Sequence, residues 1–375
     1  MKKVTILALH LGYGGIENAV TTLANNLSSK YDVEILSVYR LYNEPAYPLN
    51  ENVKVNYISN IKPNKKEMVY YLKKKNFSMF FKGLSQSIKT GYVKYIKTAF
   101  YLRKLKSDVI ITTRDVHNFL VSYFAPKSAK KIGWEHSHHN DNKRYIKKLV
   151  NSCKHMDNLV LVSNDLAEFY KKYLGNKVIF IPNCIDSEHK DVSKLTEKSL
   201  IAIGRLSKEK GFDDLLKLYK KIANKYPDWK LNIIGDGMQK NYLLDLAKEL
   251  KLGEKVVFHG FQNKEYINSM LKESSIYLMT SHTECFPIVL LEAMSYGIPC
   301  LSYTSAQGAN EIIKDDVTGY LIDNRDENIM IEKIESLIND EKLRKKLGKS
   351  AREESKNYSG EVILDKWTKL INRRK

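Results

Sequence analysis

Nowhere does this chain of 375 residues hold the about 20 predominantly apolar residues that a membrane-spanning helix needs, which excludes an integral helical membrane protein. Cysteine is scarce: Cys153, Cys184, Cys285 and Cys300 show no CxxC spacing, so neither a disulfide framework nor a zinc ribbon is expected. Free thiols fit a cytoplasmic protein. With 8 Pro and 18 Gly, and no repeat of 20–50 residues, the chain is not collagen-like, low-complexity or a solenoid. The start, Met1-Lys2-Lys3 before an apolar run, mimics a signal peptide. That run is short, His10 ends it, and no small-residue cleavage site follows, so it is read as a first β-strand.

Acid is the other shortage, and it is local. The formal net charge is +19. Residues 1–190 carry 31 Lys+Arg against 15 Asp+Glu, whereas 191–375 carry 31 against 28. Residues 62–106 hold 13 Lys+Arg, one acid (Glu67) and nine aromatics. Basic residues interleaved with aromatics suit an anionic membrane surface. The same mixture suits single-stranded nucleic acid less well, and a solvated helical face remains open. The expected partner of 62–106 is a membrane surface, with no nucleic acid.

Short β-branched runs alternate with helical patterns along the chain. Strands are expected at 4–9, 33–38, 53–58, 108–113, 131–135, 159–163 and 178–182, then at 200–204, 230–235, 256–259, 276–280 and 298–302. Continuous apolar runs separated by 10–15 helical residues argue βαβ units and parallel sheets buried on both faces. Two such series predict two doubly wound α/β domains. The polar stretch 186–198 is the expected boundary. Domains of 1–190 and 191–358 follow, with a last helix at 359–375. Ligands of such sheets lie beyond the carboxyl ends of the strands, so the site is expected in a cleft between the domains.

The loops after those strands carry the chemistry. Residues 10–18 place Gly12, Gly14 and Gly15 between a strand and a helix. That is either a plain turn or a loop that lets backbone approach a phosphate; it is neither GxGxxG nor a P-loop. After 200–204, Arg205 and Lys210 flank a turn. They are either surface cations or a grip on a diphosphate, Arg by its forked donors and Lys as a point charge. The segment 284–294 is sharper. Glu284 precedes a helix that Pro287 opens, and Glu292 lies inside the apolar helix. N–H groups from Phe286 through Ile288 to Val289 would face a bound anion. Carboxylates at 284 and 292 suit sugar hydroxyls, and a buried acid needs partners.

Taken together, the chain resembles the family 4 glycosyltransferases, retaining enzymes of the two-Rossmann GT-B architecture. The resemblance rests on Gly204-Arg205 with Lys210-Gly211, Gly235-Asp236-Gly237, His259-Gly260-Phe261, and Glu284 and Glu292 around Phe286-Pro287. In the first half it rests on Gly14-Gly15, Trp134-Glu135-His136 and Ile181-Pro182-Asn183. It implies a hexosyltransferase using a nucleotide-sugar donor, UDP-sugar favoured and GDP-sugar next, on a glycan or lipid-linked acceptor in cell-surface polysaccharide synthesis. Arg205 and Lys210 would neutralise the donor diphosphate, Glu292 would bind the ribose, and Glu284 would contact the transferred sugar. Gly14 and Gly15 would close on the donor, and His136 would approach the reacting centre. Gly235, Gly260, Phe261, Phe286, Pro287, Ile288 and Val289 complete the donor set. Asn183 and Asp186 fall at the interdomain hinge.

No Asp-x-Asp occurs, so the expectation is turnover without metal or other cofactor. His136, His138 and His139 lack metal-site spacing and read as one active-site histidine and two loop histidines. The enzyme is expected at the inner face of the cell membrane as a peripheral protein. The alternative is a GT-B-like module that is catalytically silent or that binds nucleic acid or membrane.

Overall fold

The protein, seen here as a computed structural model, is described over residues 1–185 and 191–373. It divides into two units, Met1–Cys184 with Ile363–Lys375, and Ile185–Val362. These divisions fall a few residues before the expected 190/191 and after the expected 358/359. Ile185 makes a β-bridge to Ser359, which ties it to the second unit. Asp186 and residue 190, to which the expected hinge and boundary were assigned, lie outside the described residues.

The first unit is a seven-stranded sheet of β1 (Lys3–Ala8), β2 (Asp32–Tyr39), β3 (Lys54–Ser59), β4 (Val109–Thr112), β5 (Lys130–Glu135), β6 (Asn158–Leu161) and β7 (Val178–Phe180). The order is β3-β2-β1-β4-β5-β6-β7, and every pairing is parallel. The β-branched runs form its centre because both faces are covered: Val4, Ile6, Leu7, Ile110 and Ile111 are all buried. β7 stops at Phe180, short of Pro182, which has no N–H for a ladder.

The second unit holds β8 (Ser199–Ile203), β9 (Lys230–Ile234), β10 (Val256–Gly260), β11 (Ile276–Met279), β12 (Cys300–Tyr303) and β13 (Gly319–Ile322), in the order β10-β9-β8-β11-β12-β13. The order reverses beside β8 as it does beside β1, so each sheet has its topological switch point at its first strand. β13 is a strand that sequence patterning missed. It has four residues, begins with glycine and pairs with β12 at the edge of the sheet.

Helix Phe212–Lys225 shows how the covering layer forms. Asp213 and Asp214 sit in its first turn, where the helix dipole favours acids. Phe212, Leu215, Leu216, Tyr219, Ile222 and Ala223 recur at spacings of three and four and are buried against the sheet. The last helix, Gly360–Asn372, buries Ile363, Trp367, Leu370 and Ile371 by the same rule. Its residues from Ile363 onward belong to the first unit, and Trp367 meets Trp134 edge-on at 5.3 Å. Among the described residues no helix is long and apolar enough to cross a membrane.

Candidate active site

In the second unit the chain leaves β8 through Gly204 and turns until Gly211. Gly235, just after β9, holds φ 147°, and a Cβ there would lie 1.8 Å from the Gly204 carbonyl oxygen. Backbone therefore packs directly on backbone at the root of the turn, and the Gly235 N–H donates to Gly260 at 2.8 Å. Gly235 and Gly260 thus shape the loop floor. At its far end Gly211 is left-handed, φ 63°, and a Cβ would meet the Thr280 carbonyl at 2.2 Å. The Thr280 hydroxyl donates to the Gly211 carbonyl at 2.8 Å, and the His282 N–H donates to Glu209 at 2.8 Å. This lacing brings the Arg205–Lys210 turn against the loop that carries Glu284.

Lys210 forms an ion pair with Glu284. The Ser281 hydroxyl also donates to this carboxylate, at 2.9 Å, and the Gly308 N–H donates to the Glu284 carbonyl at 2.9 Å. Arg205 is more open, 69% exposed, and donates to Glu209 at 2.6 Å. Glu292 is buried in helix Ile288–Ser295, where Lys264 donates to it at 2.5 Å. Both carboxylates, eight residues apart, are thus each held by a lysine that the sequence does not place beside them. A buried carboxylate without such a partner would be strongly unfavourable.

Pro287 is the residue that precedes this helix, not its first member: φ −79° and ψ 93° put it at the N-cap. Ile288 and Val289 therefore form the first turn. Phe286 is buried with its ring 5.9 Å from Tyr358, so it packs the loop, whereas Phe261 is 54% exposed. His259 is fixed between Asn232 and the Tyr266 hydroxyl, at 2.9 and 2.7 Å.

In the first unit β1, β4 and β5 are neighbours, and the loops at their carboxyl ends share one sheet edge. Gly14 caps helix Gly15–Leu27, and its N–H donates to the Tyr47 hydroxyl at 3.3 Å. Glu17, in the first turn, is buried. Arg114, which follows β4, donates to it at 3.1 Å, and His10 lies 3.5 Å from it. Sequence reasoning gave Glu17 and Arg114 no role; the available signal was an acid inside the first turn of an otherwise apolar helix. His136 follows β5, its ring 4.2 Å from Trp134. Its Nε2 is inaccessible and has no hydrogen-bond partner among the described residues. Burial, then the Arg114 charge, pushes its pKa down to about 3. At neutral pH the His136 ring is uncharged. The Glu135 carboxylate accepts the N–H groups of His136 and Ser137 at 2.9 and 2.8 Å, which fixes the loop. His139 stacks on Phe169 at 4.0 Å and His138 bonds Asn140, so both serve local structure. Among the described residues no three His, Cys, Asp or Glu side chains are grouped to hold a metal ion.

The sequence matches the Glycosyltransferase Family 4 model over residues 13–189 and the Glycosyl transferases group 1 model over residues 185–354. The chain belongs to the family 4 glycosyltransferases. This glycosyltransferase is 29% identical to an uncharacterized glycosyltransferase of Haemophilus influenzae, over 99% of this chain and 100% of the relative. It is 27% identical, over 99% and 98%, to the Campylobacter jejuni GalNAc-alpha-(1->4)-GalNAc-alpha-(1->3)-diNAcBac-PP-undecaprenol alpha-1,4-N-acetyl-D-galactosaminyltransferase. A TarM mutant of S. aureus, solved with fondaparinux, alpha-GlcNAc-glycerol and UDP, superposes with a TM-score of 0.79 at 17% identity, over 100% of both chains. The glycosyltransferase has the GT-B fold, with two Rossmann-like sheets.

Proposed function

We propose that this enzyme moves a hexose or N-acetylhexosamine from a nucleotide-diphosphate sugar to a glycan or lipid-linked acceptor of a cell-surface polysaccharide, with retention and without metal. UDP-sugar is the favoured donor and GDP-sugar the alternative. The carrying observation is the ion pair of Lys210 with Glu284, at a strand-end turn that also bears Arg205. A departing nucleoside diphosphate needs positive charge fixed in advance, and such preorganised electrostatics supply much of the rate. Lys210 and Arg205 offer it. Glu284 is placed to exchange its lysine for sugar hydroxyls as Lys210 turns to phosphate. Glu292 can likewise exchange Lys264 for the ribose. His136, uncharged, donates or accepts at the sugar without carrying a proton away. In a same-face substitution the acceptor oxygen bonds to the anomeric carbon as the phosphate oxygen leaves, and that phosphate takes the acceptor proton. UDP in the TarM complex and the undecaprenol diphosphate in the Campylobacter relative's name support these donor and acceptor classes.

Transfer or donor hydrolysis should run at an unchanged rate in excess chelator. Loss that added magnesium restores would refute metal-free turnover. A thermal-shift panel should raise the melting temperature more with UDP than with GDP.

The acceptor's lipid would bring the enzyme to the inner face of the cell membrane, where residues 62–106 meet anionic lipid. Helices Lys65–Lys73 and Phe77–Tyr92 leave from the carboxyl end of β3, the same sheet edge that bears Gly14 and His136. Phe77, Phe81, Leu84, Ile88 and Tyr92 recur at spacings of three and four and are all exposed. A stripe of this kind among lysines lies flat in a membrane interface. The protein should float with liposomes containing phosphatidylglycerol, but not with neutral ones, and high salt should weaken it. Equal, negligible binding to both would leave the stripe as a solvated face.

A further inference from the structure

Arg325 lies in the turn Asp323–Arg325 after β13, where it and Asn324 both adopt left-handed backbone, φ 53° and 52°. Residues other than glycine take that conformation at a steric cost that surrounding contacts must offset. Here the contacts are those of the guanidinium. Its Nη1 donates to the Ser281 carbonyl and the Ser305 hydroxyl, each at 3.0 Å. Its Nη2 donates to the Thr280 carbonyl at 3.0 Å and to Asp214 at 2.6 Å. The guanidinium carbon sits 4.4 Å from the Tyr303 ring centre, and the side chain is only 23% exposed.

All of these acceptors but Ser305 belong to the two segments that carry the charged pair. Thr280 and Ser281 open the loop to Glu284. Asp214 stands in the first turn of the helix that follows Lys210 and Gly211. One planar fork therefore joins both segments. A lysine, with its single point charge, cannot reproduce four such bonds in fixed directions.

We propose that Arg325 is a positioning residue of the donor site. It holds the Lys210 turn and the Glu284 loop at the separation that lets both groups meet one diphosphate sugar. This rests on the donor-site assignment made above. No family motif quoted for this chain includes it.

The test is calorimetric titration of the full-length protein with UDP, and with GDP as the second probe. Arg325→Gln should weaken UDP binding about 10-fold and Arg325→Lys about 5-fold, whereas in a Lys210→Met background Arg325→Gln should add less than about 2-fold, since groups acting through one another are not additive. Asp214→Ala, which removes the guanidinium's bond to the Lys210 segment, should weaken UDP binding about 3-fold and decides the matter if Arg325→Gln does not fold. A purely stabilising role would lower the unfolding midpoint without altering the affinity of folded protein. Wild-type affinity in a folded Arg325→Gln or Asp214→Ala variant overturns the proposal. So does an equal loss with and without Lys210. A wild-type protein that binds neither UDP nor GDP removes the donor-site assignment, and this role with it.

Discussion

Replacing Lys210 by alanine should lower glycosyl transfer by about 10²–10³-fold, the loss typical of one preorganised charge-stabilising group. The expected signature is a fall in kcat larger than any rise in KM, because the charge matters most when the phosphate departs. The structure adds a second reason for a large effect. Glu284 is only 12% exposed on its side chain, and Lys210 is its cation. Without it, the carboxylate keeps, among the described residues, the Ser281 hydroxyl and faces an incoming diphosphate as a like charge. Lys210→Arg should not restore the rate, since a forked, longer group does not fit a site built for a point charge. Glu284→Ala should cut turnover more than nucleotide affinity, and Glu292→Ala the reverse. Arg205→Ala should act in the same direction as Lys210→Ala, but without disturbing Glu284, since its partner is Glu209. A Lys210→Ala enzyme within threefold of the wild-type rate would remove the diphosphate role.

The two sheets were legible because most of the strands are buried and largely apolar, and the alternation with helices leaves few other folds. The acids at 284 and 292 were legible from their spacing and from the apolar helix around Glu292. Their lysines were only half so. Lys210 belongs to a motif, but Lys264 lies 28 residues from Glu292 and reaches it only when β10 and β11 are in place. Arg325 is 111 residues from Asp214 and follows β13, the strand that four residues and a glycine concealed. Contacts of this kind are set by strand order, which periodicity does not report. The Glu17–Arg114 pair was hidden for the same reason: it joins the loops of β1 and β4, adjacent in the sheet but 97 residues apart. Local chemistry near helix starts was read to within one residue, as Pro287 shows by sitting at the cap and not in the first turn.

Trp367→Ala should destabilise the protein by about 3–5 kcal/mol, the cost of emptying a large aromatic site that cannot collapse. Trp367 is fully buried in the last helix, and Trp134 at the end of β5 is its edge-on partner. The indole is the largest of the anchors of this helix. Ile363, Leu370 and Ile371 share its apolar face, and Lys130, itself buried, donates to the Leu370 carbonyl at 2.5 Å and the Arg373 carbonyl at 2.8 Å. A cation at that place satisfies the orphan carbonyls of a helix end and complements its dipole. Losing the indole leaves a cavity beneath this cap and beside Trp134, whose ring in turn packs on His136 at 4.2 Å. The variant should therefore unfold at lower urea and also lose turnover, because His136 is then free to leave its place. Trp367→Phe keeps an aromatic edge against Trp134 and should recover most of both losses. A Trp367→Ala protein whose stability changes by less than about 1 kcal/mol would show that this helix is not anchored through the indole.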